Sequence, residues 1–365
     1  MRSRSSSIAL VLVVACAAAT SLAQPTHPTT SPSVIAPRTA AWKSDEWIKS
    51  EEGRRVVQNV LAWQNADGGW PKNYDALRAP ATARSRDRER GSTFDNGATY
   101  SELRLLARAY TLDGNTPEHK AAFDRGLKYL LDAQYENGGW PQRFPLEPNN
   151  YSRHITFNDG ATVGVMRILE SIRNNSSEFA LVSDDDRARV TKAFDRGIEC
   201  ILNCQIKADG KLTAWCQQHD EVTLAPAPAR TFEPPCIASN ESAGLAMLLM
   251  SQPNPSPRVR ESIEAAMKWF DEVKVTGKRY EEVTGPQYER GRDRILVDDP
   301  NAKEPVWARM YEIGTNRPVF SGRDSAIKYS LAEVEYERRT GYGWYGRWPS
   351  RAVAMYEEWK KGAGK

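Results

Sequence analysis

Leu61-Ala62-Trp63-Gln64-Asn65-Ala66-Asp67-Gly68-Gly69-Trp70-Pro71 recurs as Leu131-Asp132-Ala133-Gln134-Tyr135-Glu136-Asn137-Gly138-Gly139-Trp140-Pro141, and more loosely as Leu202-Asn203-Cys204-Gln205-Ile206-Lys207-Ala208-Asp209-Gly210 running to Trp215. The glutamines at 64, 134 and 205 set a period of 70 to 71 residues. Self-similarity at a fixed period is the mark of repeated supersecondary units, each unable to bury its apolar face alone.

A second phrase repeats inside the unit. Thr93-Phe94-Asp95-Asn96-Gly97-Ala98-Thr99 precedes apolar residues Leu103, Leu106 and Ala109, and Thr156-Phe157-Asn158-Asp159-Gly160-Ala161-Thr162 precedes Val165, Met166 and Leu169. Ser239-Asn240-Glu241-Ser242 stands in the third copy before Leu245, Leu248 and Leu249. Apolar residues three and four apart after a Thr, Asp or Asn start predict helices with capped N-termini. Segments 56–63, 121–133 and 188–204 carry the same period and run into the repeated turns. Each unit therefore reads as helix, Gly-Gly-Trp turn, loop, helix. Three such hairpins side by side predict an all-α fold, an α/α toroid with long irregular loops. Like loops then gather at one end, so the Gly-Gly-Trp turns and the Asp-Asn starts should share one mouth. Residues 275–325 show little periodicity and read as a long irregular excursion, a kind of segment that is usually functional.

Residues 1–23 have the form of a secretory signal, with Arg2 and Arg4, an apolar run from Ile8 to Ala19, and a small-residue site at Ser21-Leu22-Ala23. An exported protein, extracellular or periplasmic, is expected. A rival is lipoprotein processing at Val13-Val14-Ala15-Cys16, which would tether the product to a membrane through Cys16. Residues 24–40, rich in Pro, Thr and Ser, read as a disordered spacer, leaving 41–365 as the catalytic domain. The formal charge of +3 falls to about +1 without Arg2 and Arg4, which argues against a nucleic-acid partner. With 40% apolar residues, 11 Trp and 14 Tyr, the chain can fill a core and line a cleft. Cys200, Cys204, Cys216 and Cys236 match no zinc spacing, and in an exported chain they predict one or two disulfides of unreadable pairing. A monomer suits an enzyme that acts on a polymer.

Asp95, Asn96, Asn158 and Asp159 recur in register, and capping would need one such residue per helix rather than two. Hard oxygen ligands on facing loops are what calcium requires. Arg230 lies in the Pro-stiffened stretch Ala225-Pro226-Ala227-Pro228-Ala229-Arg230, where fixed φ angles can present a side chain rigidly. Further basic groups include Arg292, Arg294, Lys303, Arg309, Arg317 and Arg323. The guanidinium fork matches carboxylates. With Trp70, Trp140, Trp307 and Tyr311 alongside, the mouth suits an anionic, sugar-like polymer.

The phrases Gln-x-x-x-Gly-Gly-Trp-Pro-Lys, Thr-Phe-Asp-Asn-Gly-Ala-Thr, Thr-Phe-Asn-Asp-Gly-Ala-Thr, Trp215 to Asp220, Pro228-Ala229-Arg230 and Gly341 to Tyr345 occur in order and together resemble the pectate lyases of polysaccharide lyase family 10. The likeness spans about residues 42–357. It implies an endo-acting lyase that cleaves de-esterified polygalacturonate by anti β-elimination, with calcium as cofactor. By position, Arg230 would be the catalytic base, and Asp95 and Asp159 would hold calcium and substrate carboxylate. Arg317 would bind a galacturonate carboxylate. Asn96 and Asn158 are further metal candidates, and Lys72, Arg143 and Arg309 further substrate contacts. An arginine base requires its high pKa to be lowered by cations or burial, and implies an alkaline optimum. Other readings are a terpenoid cyclase, a glycoside hydrolase using two carboxylates among Asp95, Asp159, Asp220 and Glu233, and a pectin-binding protein without activity.

Overall fold

Each repeated glutamine does the same structural task. The side-chain amide of Gln64 donates to Gly68 O in its own turn and to Ala122 O in the next outer helix, both at 2.8 Å. Gln134 does so with Gly138 O and Ala193 O, and Gln205 with Thr213 O and Ser262 O. The repeated tryptophans act alike, with the indole N–H of Trp70, Trp140 and Trp215 donating to Val60 O, Leu130 O and Ile201 O. The glutamine bonds tie each turn to the next outer helix and the tryptophan bonds tie it to the helix before it, which is why the phrase repeats.

The structure is a computed structural model that describes residues 34–81 and 91–363. The signal sequence and residues 24–33 of the spacer lie outside the described residues. Among the described residues, which form one compact unit, there are eight long helices. In chain order they are α1 (Glu51–Trp63), α2 (Tyr100–Leu112), α3 (Pro117–Asp132), α4 (Ala161–Arg173), α5 (Asp184–Cys204), α6 (Ser239–Met250), α7 (Pro257–Val273) and α8 (Trp348–Ala363). The closely packed pairs are α2/α3, α4/α5 and α6/α7, so each hairpin is an inner helix with the outer helix that follows it, one step out of phase with the units joined by a Gly-Gly-Trp turn that the sequence suggested. Helices α2, α4 and α6 pack in succession as the inner wall of an α/α toroid. The inner helix α6 is apolar on nearly every side and buried, with α8 packed against it. The outer helices are amphipathic; α5 and α7 are capped by Ser183 and Ser256, whose hydroxyls accept from Asp186 N and Val259 N.

Glycine is required at 68 and 138, where φ is +96° and +92°. A Cβ there would lie 2.4 Å from Arg125 O and 2.1 Å from Arg196 O.

Four expectations are corrected. Residues 37–40, read as spacer, form a short helix with Pro37 and Ala40 buried against the body. Residues 278–284 and 292–298, within the supposed irregular excursion, form an antiparallel hairpin in full register from Lys278↔Asp298 to Thr284↔Arg292. Both its faces are partly exposed, so it lacks the apolar alternation of a half-buried strand. The four cysteines are free buried thiols rather than disulfides. Cys200 and Cys204 sit one turn apart on α5 with sulfurs 4.0 Å apart, about twice the length of a disulfide bond, and Cys216 Sγ donates to Ala227 O at 3.8 Å. Finally, the Asp-Asn phrases do not cap helices. Asp95–Gly97 and Asn158–Gly160 are 3-10 turns with Asn96 and Asp159 at φ 54° and 50°, and neither turn nor the helix after it receives a side-chain cap.

Candidate active site

The two 3-10 turns lie side by side at the start of α2 and α4, and α6 adjoins the second of them. In the third copy, Ala238 N donates to Trp215 O at 2.7 Å, as Thr93 N does to Trp70 O and Thr156 N to Trp140 O. Helix α6 then begins at once, because the third copy is two residues shorter between that bond and Ser242, the counterpart of Thr99 and Thr162. The 3-10 turn is lost and Glu241 faces the cluster instead. Three helix N-termini thus converge on one mouth, each carrying partial positive charge that favours anions.

Asp95 is buried and ion-paired with Lys72, while its Oδ1 has no partner. Asn158 is buried and takes a 3.3 Å bond from Arg309, which donates at 2.7 Å to the fully buried Glu241. Glu241 Oε2 is also left without a partner. Asn96 bonds Asn73 at 3.3 Å. Asp159 opens to solvent, yet packing around it and then the charges of Asp95 and Glu241 push its carboxyl up to about 6, against the pull of Arg309 and Arg230. Two orphaned buried oxygens and one disfavoured carboxylate make a donor set with a deficit of positive charge.

On the other side, Arg230 leaves its stiffened loop and donates through Nε to Glu233 Oε2 at 2.7 Å, with its second prong on Glu233 Oε1. Burial pulls the guanidinium down, but the bonds to Glu233 and the Glu233 charge outweigh it and hold Arg230 above its ordinary value. This is the reverse of the lowering expected from the sequence. Its cause is a buried carboxylate three residues on, itself fixed by Tyr342 OH at 3.2 Å. Arg230, Arg323 and Arg338 all lie over the buried Phe232 ring, at 4.7, 5.2 and 4.6 Å. Tyr151 is half-buried among the charges of Arg230, Glu233, Asp95 and Arg143, and so joins the two sides.

The structure therefore brings together Asp95, Asn96, Asn158, Asp159, Lys72 and Arg309, with Arg143 bridged to Thr93 on the same side and Arg230 across the mouth. Arg309 is buried over Tyr342 and positions Asn158 and Glu241. Arg317 is placed elsewhere: it stacks on Tyr329 at 3.8 Å, beside Glu312. Trp70, Trp140, Trp307 and Tyr311 are buried in the core and cannot stack on a sugar, their polar atoms being used on backbone partners. Sequence reasoning missed Glu241, Tyr151, Tyr342 and Arg338, and gave Glu233 only a hydrolytic role. The spacing of Glu233 three residues after Arg230 was the one local signal.

A helical toroid with a mouth lined by carboxylates and guanidinium groups is suited to an anionic substrate. The profile of the pectic acid lyases matches residues 64–353, and the chain belongs to that family. It is similar to a family 10 polysaccharide lyase from Cellvibrio cellulosa, at 30% identity and a TM-score of 0.75 over 86% of this chain and 94% of that one. It is equally similar to an aspartate-to-alanine mutant of a family 10 polysaccharide lyase from Cellvibrio cellulosa in complex with trigalacturonic acid, over 88% and 97% of the two chains at the same identity and TM-score. No match is found among curated proteins. The chain is accordingly a pectate lyase by family.

Proposed function

We propose that this lyase is exported and cleaves de-esterified polygalacturonate within the chain by calcium-dependent anti β-elimination, acting as a monomer. The observation that carries the reading is the mouth itself, with Arg230 and its neighbours Arg323 and Arg338 on one side and the cation-deficient Asp95, Asp159 and Glu241 on the other. Asp95 and Asp159 would hold calcium, with the amides of Asn96 and Asn158 as further oxygen donors, and the orphaned Asp95 oxygen fits that role. Bound there, calcium would draw electron density from the substrate carboxylate and so acidify the proton on C-5.

The protein groups supply the rest. Lys72 would release Asp95 and turn to the incoming carboxylate. Arg323 and Arg338, whose shared partner Glu337 is exposed, would hold a galacturonate carboxylate in their forks. Arg323 takes the place first assigned to Arg317 because it stands beside Arg230. Arg230, loosened from Glu233 and deprotonated, would take the C-5 proton. The C–H electron pair then forms the C-4 to C-5 double bond, and the C-4 oxygen leaves with the departing sugar, taking the C–O bond pair and a proton from water to become its new hydroxyl. Developing charge on the substrate carboxylate is met by fixed cations and helix N-termini rather than by reorganising water.

The test is the product. Elimination leaves an unsaturated, ultraviolet-absorbing end on each new chain, whereas hydrolysis by two carboxylates yields new reducing ends without absorbance, and a pectin-binding protein yields neither. Viscosity falling faster than product accumulates marks cleavage within the chain. Chelator should abolish the absorbance, and added calcium should restore it.

A further inference from the structure

His154, Asp220 and Glu221 form a second cluster that the elimination does not use. Each offers one ligand atom, and those atoms all lie within 4.8 Å of one another, the one grouping of this kind found among the described residues. The backbone builds this juxtaposition. Ile155 pairs with His219 and Thr156 with Gln218, so one further step of antiparallel register sets His154 opposite Asp220. The 218–219 strand is held on its other edge by residues 226–227. Asp220 is pinned through Oδ1, which accepts from Val222 N, Thr223 N and Thr223 Oγ1 at 3.0, 2.7 and 2.9 Å. These bonds leave Oδ2 available. The Glu221 side chain is only 9% exposed, and its Oε2 is 2.9 Å from His154 Nδ1. Its other oxygen is 2.5 Å from Arg153 Nε. His154 Nδ1 and Glu221 Oε2 are thus close enough to share one ion, which would take the place of the proton between them.

We propose that His154, Asp220 and Glu221 bind a divalent transition-metal ion of the zinc class, at a centre distinct from the oxygen-only calcium donors Asp95 and Asp159. An imidazole with two carboxylates suits zinc, iron or nickel, whereas calcium prefers oxygen throughout. Two carboxylates against the single charge of Arg153 leave the cluster net negative, which favours a cation. Arg153 would remain as a partner of Glu221 or yield it to the ion. The centre would brace the mouth, because the His154 strand runs on into the Asn158–Gly160 turn and the Asp220 strand leads into the loop of Arg230. It does not depend on the elimination chemistry.

The experiment is a Co2+ titration of the full chain in excess calcium, read by visible ligand-field absorption, with Zn2+ as competitor. One Co2+ per chain, displaced by zinc, lost in His154→Gln and in Asp220→Asn and kept in Asp95→Ala, is expected. Circular dichroism establishes that the variants fold, and either one suffices if the other does not. No stoichiometric Co2+ binding in the parent, binding unchanged in a folded His154 or Asp220 variant, or binding lost in Asp95→Ala would overturn the proposal.

Discussion

Glu233 grips Arg230 with both carboxylate oxygens, Nε lying 2.7 Å from Oε2, and it does so from within the core while Arg230 reaches the solvent. The pair sets the protonation of the group assigned to remove the C-5 proton. It holds the cation when the mouth is empty and must part when the base acts.

If so, Glu233→Gln lowers the Arg230 pKa. The base works only when deprotonated, so activity limited by that step rises at lower pH, and the limb that climbs towards alkaline pH moves down. A hydrogen bond to a charged group contributes about 1.5 to 3 kcal/mol, and solvent screening at the exposed guanidinium cuts this, giving a displacement of about one pH unit. The pH dependence of initial rates in saturating calcium measures it; an unmoved limb contradicts the role of Glu233.

Asp159 ties stability to function. Its folded pKa of about 6 lies above the ordinary 3.8, so folding favours the protonated form. The contribution to stability is complete below 3.8, is lost as pH rises to about 6, and stays lost above. Asp159→Asn should therefore stabilise the calcium-free protein at about pH 8, by about 1 kcal/mol after allowance for its exposure, and leave it unchanged near pH 3.5. Lyase activity should fall by orders of magnitude. Thermal unfolding in chelator at both pH values tests the first part, and ultraviolet assay the second.

Arg309→Met should be costly without any substrate present. It leaves Glu241, whose side chain is fully buried, without its 2.7 Å partner. Removing one member of a buried ion pair destabilises by about 3 to 5 kcal/mol. Denaturant unfolding of the variant gives the value directly, and a loss under about 1 kcal/mol would mean that Arg309 serves the substrate rather than the fold.

Gln134→Ala removes the amide that joins Gly138 O to Ala193 O. A loss of about 1 to 3 kcal/mol is expected. The same change at Gln205 should cost a similar amount, since its amide makes the same pair of bonds and is buried. Matched denaturation midpoints for the two variants would establish the equivalence of the repeats.

The repeat made the toroid legible, because the Gln and Trp positions have one job in each hairpin and one spacing in the chain. The Asp-Asn phrases were legible for the same reason, and the structure sharpens them by showing 3-10 turns where helix caps were expected. Aromatic roles were not readable: a Gly-Gly-Trp turn looks the same whether its indole faces a ligand or, like Trp70, donates into the core. Glu241 was hidden because the third copy drops two residues and substitutes a helical turn for the 3-10 turn. Arg323 and Arg317 lie in one stretch of sequence, and only folding shows that Arg323 shares the Phe232 ring with Arg230 while Arg317 stacks on Tyr329. The hairpin of residues 278–298 escaped notice because neither of its faces is buried.

The most direct test is ultraviolet absorbance from polygalacturonate at about pH 9, an alkaline pH that suits an arginine base, with and without calcium, for the parent and for Arg230→Ala, together with oligogalacturonate binding to each. Calcium-dependent absorbance in the parent, lost in the variant while binding persists, is the result expected if Arg230 takes the proton. Undiminished absorbance from Arg230→Ala, or reducing ends without absorbance from the parent, would contradict it.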